Sequence, residues 1–159
     1  MRTLVLLPAI AFAVSAGAQE RVQDPQGEFE YLAAAGGVLI TAPHGTADFN
    51  TAPLAISVAR ALGTGYVVFR GSMAGSMRIN VNRPTEGGSM TCPNEPATDR
   101  ARATYDAYVR LVRAALGGER SALYVELHGN ADPRTAQNIE VASKGMTDAD
   151  AVTMKEAYP

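Results

Sequence analysis

Apolar residues in this chain fall into short continuous runs separated by longer segments in which they recur at helical spacing. The first run typical of a buried strand is "GVLITA" at 37–42, and "NTAPLAISVARALG" at 50–63 follows it with a helical period. Asn50 or Thr51 is the predicted N-cap of this helix, and Gly63 ends it. The predicted apolar face comprises Leu54, Val58, Ala61 and Leu62.

The same pattern continues to the end of the chain. Further strands are predicted at 66–70 ("YVVFR"), 78–82 ("RINVN"), 122–127 ("ALYVEL") and 137–142 ("QNIEVA"). A long helix is predicted within the stretch 97–118, with Gly117 at its end. Thr147 with Asp150 is predicted to form a capping box that opens a last helix. The apolar stripe of the long helix comprises Ala101, Tyr105, Tyr108, Val109, Val112 and Leu116. Alternating strands and helices predict an α/β fold, a three-layer α/β/α domain around a mostly parallel or mixed central sheet.

The first residues are typical of a secretory signal peptide. Arg2 precedes a long apolar stretch that ends in the small-x-small motif Ala16-Gly17-Ala18, which predicts cleavage after residue 18 and a mature chain of 159 − 18 = 141 residues. A membrane anchor is the alternative, but the apolar stretch is short for a span. The predicted organisation is a signal peptide at 1–18, a polar lead-in at 19–35 and a single α/β domain at 36–159.

Charge and cysteine content narrow the class of partner and the compartment. The formal net charge is −2, which does not favour binding to nucleic acid or to an anionic membrane surface. Cys92 is the single cysteine, so no disulfide forms within the chain, and it lies in a Gly/Pro/Ser-rich segment typical of a surface loop. These features predict an exported protein of the bacterial periplasm or exterior, with no membrane association after cleavage.

Both histidines of the chain follow predicted strands and precede glycine. His44 lies in "ITAPHGTADF" and His128 in "YVELHGN", and ligands of open α/β sheets bind at the carboxyl ends of strands. Asp48 follows His44 by four residues, so one loop can supply two metal ligands and His128 the third. In the alternative interpretation, the two histidines only cap strands by hydrogen bonds to backbone.

Two further stretches carry candidate catalytic chemistry. In "RINVNRP", Asn82 and Arg83 follow a predicted strand. The planar guanidinium of Arg83 suits a substrate carboxylate. The alternative is that Arg83 is an ordinary surface arginine that holds a loop. Glu140 lies within the apolar "NIEVA", where an ionised carboxylate is costly unless function requires it. A glutamate beside a metal-activated water is the usual general base.

The order of these residues resembles the zinc carboxypeptidase-like superfamily, in particular its compact branch of N-formylglutamate amidohydrolases and poly-γ-glutamate hydrolases. The resemblance covers roughly 36–158 and implies a phosphorylase/hydrolase-like fold with one zinc ion per chain. It implies that the metal is bound by His44, Asp48 and His128. It further implies that Asn82 and Arg83 bind a substrate carboxylate and that Glu140 activates water.

Some features depart from that family. Its acidic ligand is commonly glutamate, whereas this chain has Asp48, and Glu126 is a competing carboxylate that is otherwise expected to orient His128. The chain ends at "EAYP", where a family member usually continues, so we expect either a fragment or a minimal version. The ligand types also suit manganese or iron.

The function predicted on this basis is zinc-dependent hydrolysis of an amide bond near a free carboxylate. The substrate class is a small carboxylate-bearing amide or peptide: an N-acyl amino acid, a peptide C-terminus or a γ-glutamyl polymer. One alternative is an exported, non-catalytic module that binds carboxylates or peptides on the same fold. Another is a metal-free structural protein of the envelope.

Overall fold

The computed structural model describes most of the chain as far as Gly129 and a few positions near its end. The described residues are 17–71, 78–87, 95–117, 120–129, 147, 149, 150, 152 and 153. The chain divides into two compact units, Met1–Gly129 and Asn130–Pro159. The predicted strand at 137–142, the loop around Cys92 and residues 1–16 of the predicted signal peptide lie outside the described residues.

The first unit is a mixed α/β structure. Its elements are β1 (Glu20–Asp24), β2 (Gly27–Leu32), β3 (Val38–Ala42), α1 (Thr51–Leu62), β4 (Gly65–Gly71), β5 (Arg78–Asn80), β6 (Thr85–Gly87), α2 (Asp99–Ala115) and β7 (Leu123–Glu126). Five strands form one sheet in the order β1-β2-β4-β3-β7. Strand β3 runs parallel to both β4 and β7, while β2 pairs antiparallel with β1 and β4. The predicted α/β class with a mixed sheet is therefore confirmed.

The segment interpreted as a polar lead-in contains two strands that the sequence pattern did not predict. Strands β1 and β2 form a hairpin, and β2 pairs with β4 along its whole length. Phe29 is fully buried and its ring centroid lies 4.6 Å from that of Phe69. The hairpin was missed because β1 is almost entirely exposed and therefore has a polar sequence.

Helix α1 covers one face of the sheet with its small residues. Its predicted bounds and its end at Gly63 are confirmed. Its predicted apolar face is wrong, since Leu54 and Leu62 are 52% and 63% exposed and Ala61 is also exposed, with Val58 only partly buried. The helix buries alanines instead, because small side chains let its backbone lie close to the sheet. The residues that it packs with the sheet are Ala52, Ala55 and Ala59 against Ile40, Tyr66 and Val68.

Helix α2 covers the opposite face, where Leu39, Val67 and Phe69 alternate with the residues that face α1. The Thr98 side chain caps the helix by accepting a hydrogen bond from the Ala101 amide at 3.2 Å. The predicted stripe is confirmed in part: Ala101, Tyr108 and Leu116 are buried, whereas Tyr105, Val109 and Val112 are half-buried. Among the described residues, no helix is both long enough and apolar enough to cross a membrane.

Two smaller predictions also have structural outcomes. The predicted strand at 78–82 is confirmed only as far as Asn80, which pairs with Thr85 in a separate antiparallel ribbon. Near the end of the chain, the predicted capping box is confirmed. The Asp150 amide donates to Thr147 Oγ1 at 3.2 Å, and the Thr147 amide donates to Asp150 Oδ2 at 3.1 Å.

Candidate metal centre

The two His-Gly dipeptides meet at the carboxyl ends of neighbouring parallel strands. Thr41 of β3 lies opposite Glu126 of β7, and the Leu127 amide donates to the Thr41 carbonyl at 2.8 Å. The chain continues from these positions to His44 and to His128, whose ring centroids are 5.1 Å apart. The predicted convergence of the two imidazoles is therefore confirmed.

A single turn of backbone places Asp48 beside the histidines. Its amide donates to the His44 carbonyl at 2.7 Å, which brings two side chains four residues apart to the same side. The Thr51 hydroxyl donates to the Asp48 carbonyl at 2.8 Å and anchors the turn to the start of α1. Asn50 occupies the predicted N-cap position with a left-handed φ of 64°, but its side chain makes no capping hydrogen bond.

Each histidine is followed by glycine because backbone approaches closely at both positions. A Cβ on Gly45 would lie 2.6 Å from the Cβ of Ala52 and 2.7 Å from the carbonyl oxygen of Phe69. A Cβ on Gly129 would lie 3.1 Å from the Cβ of Asp48. The first glycine lets the His44 loop pack between α1 and β4, and the second brings the His128 loop against Asp48.

One carboxylate oxygen faces both imidazoles. Asp48 Oδ2 lies 3.5 Å from His44 Nδ1 and 3.4 Å from His128 Nδ1. Both distances are long for hydrogen bonds. They match the separation of two ligands on one tetrahedral zinc ion, about 3.3–3.6 Å for bonds of about 2.0–2.2 Å. One ligand atom from each residue lies within 4.8 Å of the others, so these three side chains can hold a metal ion.

Exposure of the three side chains suits a site at the edge of the first unit. The His44 and Asp48 side chains are 13% and 15% exposed, whereas that of His128 is 38% exposed. The carboxylate and one imidazole are thus shielded while the second imidazole faces solvent. Such a site is accessible to a metal ion and to a small substrate.

Glu126 lies behind His128 and outside the group of three ligands. Its Oε2 is 3.3 Å from His128 Nε2, the nitrogen opposite the one that faces Asp48. Burial alone would raise the pKa of Glu126, but hydrogen bonds from His128, Tyr124 and Asn82 outweigh it and lower the pKa to about 2. The hydrogen bond to Glu126 raises the pKa of His128 against the opposing effect of burial. The described geometry therefore favours Asp48 over Glu126 as the carboxylate ligand.

The remaining predicted site residues lie in different places. Asn82 Nδ2 donates to Glu126 Oε2 at 3.1 Å, so Asn82 is linked to His128 through that carboxylate. Arg83 has a half-exposed side chain whose Nη2 lies 3.6 Å from Glu95 Oε2. Glu140 lies outside the described residues, and its predicted role stays a prediction.

Two tyrosines beside the site were not predicted to be polar contacts. Tyr108 and Tyr124 donate to Glu126 Oε1 at 3.1 and 2.5 Å, and their hydroxyl oxygens are 2.7 Å apart. Tyr108 had been interpreted as part of the apolar stripe of α2. The signal in the sequence was Glu126 itself, because a carboxylate within an apolar strand requires several donors nearby.

Comparisons with known proteins add no relative. No protein-family model, curated protein or solved structure matches this chain. The resemblance to the zinc carboxypeptidase-like superfamily therefore rests on the residues that carry it and stays a prediction.

Proposed function

We propose that this protein is an exported, zinc-dependent hydrolase that cleaves an amide bond near a free carboxylate, on a zinc-carboxypeptidase-like fold. The observation that carries the proposal is the convergence of His44, Asp48 and His128 at the ends of two parallel strands. Two imidazoles and a carboxylate are a common protein ligand set of catalytic zinc, which keeps a further position open.

The chemistry divides among the residues of the chain. Zinc in such a site supplies a Lewis acid that makes water nucleophilic at neutral pH. The role assigned to Glu140 is that of general base, which takes a proton from water and passes it to the leaving nitrogen. His44 and Asp48 come from one turn and His128 from another, so the two loops together hold the ligands.

Substrate selection is assigned to Arg83. Its half-exposed guanidinium suits a carboxylate that arrives from solvent, and a paired fork of N–H groups fixes the orientation of that carboxylate. The substrates expected are N-acyl amino acids, peptides with a free C-terminus and γ-glutamyl polymers. Holding the carboxylate would place the neighbouring amide in a defined position for attack.

The direct test is the metal content of the mature protein, purified without chelator, beside the His44→Ala and His128→Ala variants. We expect one zinc ion per chain in the native protein and loss of zinc from both variants. Absence of metal from the native protein, even after zinc is added back, would contradict the proposal and leave both histidines as structural residues.

Turnover is tested separately, with a panel of N-acyl amino acids, peptides and γ-glutamyl oligomers. Glu140→Gln should abolish turnover and retain zinc, and full activity in that variant would contradict the role of Glu140. Zinc binding with tight carboxylate binding but without turnover in the native protein would favour the non-catalytic binding module instead.

A further inference from the structure

The carboxylate of Glu126 is surrounded by hydrogen-bonding groups from three different parts of the first unit. Tyr108 of α2 and Tyr124 of β7 donate to Oε1, while Asn82 and His128 lie at Oε2. An ionised carboxylate offers about four lone-pair positions, and here four donors surround it. Its side chain is 24% exposed, so these donors replace much of the water that it would otherwise bind.

This arrangement determines which nitrogen of His128 is available to a metal. Both ring nitrogens face a carboxylate, which only accepts hydrogen bonds, but the contact of Nε2 with Glu126 at 3.3 Å is the shorter, so we place the proton on Nε2. Nδ1 is then the nitrogen that faces Asp48 Oδ2, at 3.4 Å. Metal-binding histidines generally donate their other N–H to such an acceptor, which fixes both the tautomer and the orientation of the ring.

We propose that Glu126 is a positioning residue that directs Nδ1 of His128 towards the metal, and that Asn82, Tyr108 and Tyr124 hold Glu126 in place. This inference rests on the proposed metal site. It assigns Asn82 a role that needs no substrate, because its amide nitrogen is bound to Glu126. It also explains why Glu126 is not itself a ligand, since moving towards the metal would cost it several hydrogen bonds.

The tautomer of His128 tests the inference directly. The chain has two histidines, so long-range ¹H–¹⁵N spectra of the imidazoles contain few signals and are readily assigned with the His44→Ala variant. In the metal-free protein at alkaline pH, we expect His128 to bear its proton on Nε2. In Glu126→Gln, the oxygen of the new amide is taken by the tyrosines and its NH₂ faces His128, which favours the Nδ1–H tautomer.

Zinc affinity should follow the tautomer. We expect Glu126→Gln to weaken zinc binding by about 10- to 100-fold, measured by competition with a chelating dye. Glu30→Gln is the matched control, because Glu30 is a buried carboxylate that likewise accepts from a tyrosine but lies in a cluster with Arg70 and Arg21. That control should lower stability and leave both zinc affinity and the His128 tautomer unchanged.

Asn82→Ala separates a positioning role from substrate contact alone. Without substrate, we expect zinc binding to weaken by about 3- to 10-fold, the size of one ordinary hydrogen bond. Asn80→Ala is the control, since Asn80 also donates to a carboxylate, that of Glu95, in the same segment. It should leave zinc affinity unchanged.

The outcomes separate this inference from the proposed function. A native protein that binds no zinc overturns the metal site and, with it, the inference. A native protein that binds zinc while His128 bears its proton on Nδ1 overturns the inference alone. Unchanged zinc affinity in both Glu126→Gln and Asn82→Ala overturns it as well.

Discussion

Two carboxylates on the same sheet, the buried Glu30 and the partly buried Glu126, show how one kind of cluster serves two purposes. Glu30 accepts hydrogen bonds from Tyr66 at 2.9 Å and from Arg70 at 2.8 Å, with Arg21 at 3.6 Å. Glu126 likewise accepts from tyrosines, but the nitrogen-bearing group beside it is an imidazole, that of His128. The two clusters thus differ mainly in the basic residue that lies beside the carboxylate, arginine in one and histidine in the other.

That difference decides whether the cluster can take part in metal chemistry. Arginine stays protonated in proteins and has no lone pair for a metal, so the arginines beside Glu30 cannot act as metal ligands. Histidine can exchange one proton for a metal while its other nitrogen stays bound to the carboxylate. In the Glu126 cluster, the Nδ1 atom of His128 is therefore able to bind a metal on the side that faces Asp48.

The largest effect on zinc affinity is expected from removing the Asp48 carboxylate, which faces the Nδ1 atoms of both histidines. Asp48→Ala leaves two imidazoles without their shared oxygen, and we expect zinc affinity to fall by roughly 100- to 1000-fold, about 3–4 kcal/mol. Asp24→Ala is the control, because Asp24 accepts from Thr104 at 3.0 Å and from the Gln26 amide at 2.9 Å, in the β1–β2 turn. Equal loss of zinc in both variants would show a general effect on folding.

Acid should lower the stability of the metal-free protein, because Glu126 becomes protonated. Its pKa in the folded protein is lowered to about 2 from 4.5, so the stabilisation is complete above pH 4.5 and is lost as pH falls through 2. The shift contributes on the order of 3 kcal/mol to the free energy of unfolding above pH 4.5. Urea unfolding between about pH 5 and pH 2 should therefore show a shallower loss in Glu126→Gln than in the native protein. Parallel curves would contradict this.

An intermediate effect is expected where the two loops touch. A Cβ on Gly129 would lie 3.1 Å from the Cβ of Asp48 and 3.3 Å from its Cα, so Gly129→Ala should displace Asp48 by a few tenths of an ångström. We expect zinc affinity to fall about 5- to 10-fold with little change in stability. Gly117→Ala, at a φ of 64° and in open space, should do the reverse by costing about 1 kcal/mol of stability. Calorimetry and zinc titration of both variants measure the contrast.

The sequence predicted the proposed metal ligands better than the residues that surround Glu126. His44 and His128 were predicted to meet because each follows an apolar strand, and the ends of parallel strands share one edge of a sheet. The donors to Glu126 were not predicted, since Tyr108 and Asn82 are 18 and 44 residues away along the chain and only tertiary packing unites them with it.

The fold divides in a similar way. Strands β3, β4 and β7 and the bounds of α1 were predicted from apolar runs and from helix-ending glycine. The prediction of the buried face of α1 was wrong. A hydrophobic pattern favours Leu54 and Leu62 for that face, whereas the close approach of the helix to the sheet requires alanine. The roles of Arg83 and Glu140 stay predictions, and local pattern alone does not decide them.

The smallest and sharpest contrast comes from removing one hydroxyl from each cluster. Tyr66→Phe and Tyr124→Phe each delete a hydrogen bond to a carboxylate, and we expect each to cost about 1–2 kcal/mol in the free energy of unfolding. Only Tyr124→Phe should also weaken zinc binding, by about threefold, because only Glu126 bears on a histidine that faces Asp48. Denaturant unfolding and zinc competition on the same samples provide both values. If the two variants bind zinc equally, the tyrosines beside Glu126 stabilise the fold as those beside Glu30 do and have no part in positioning His128.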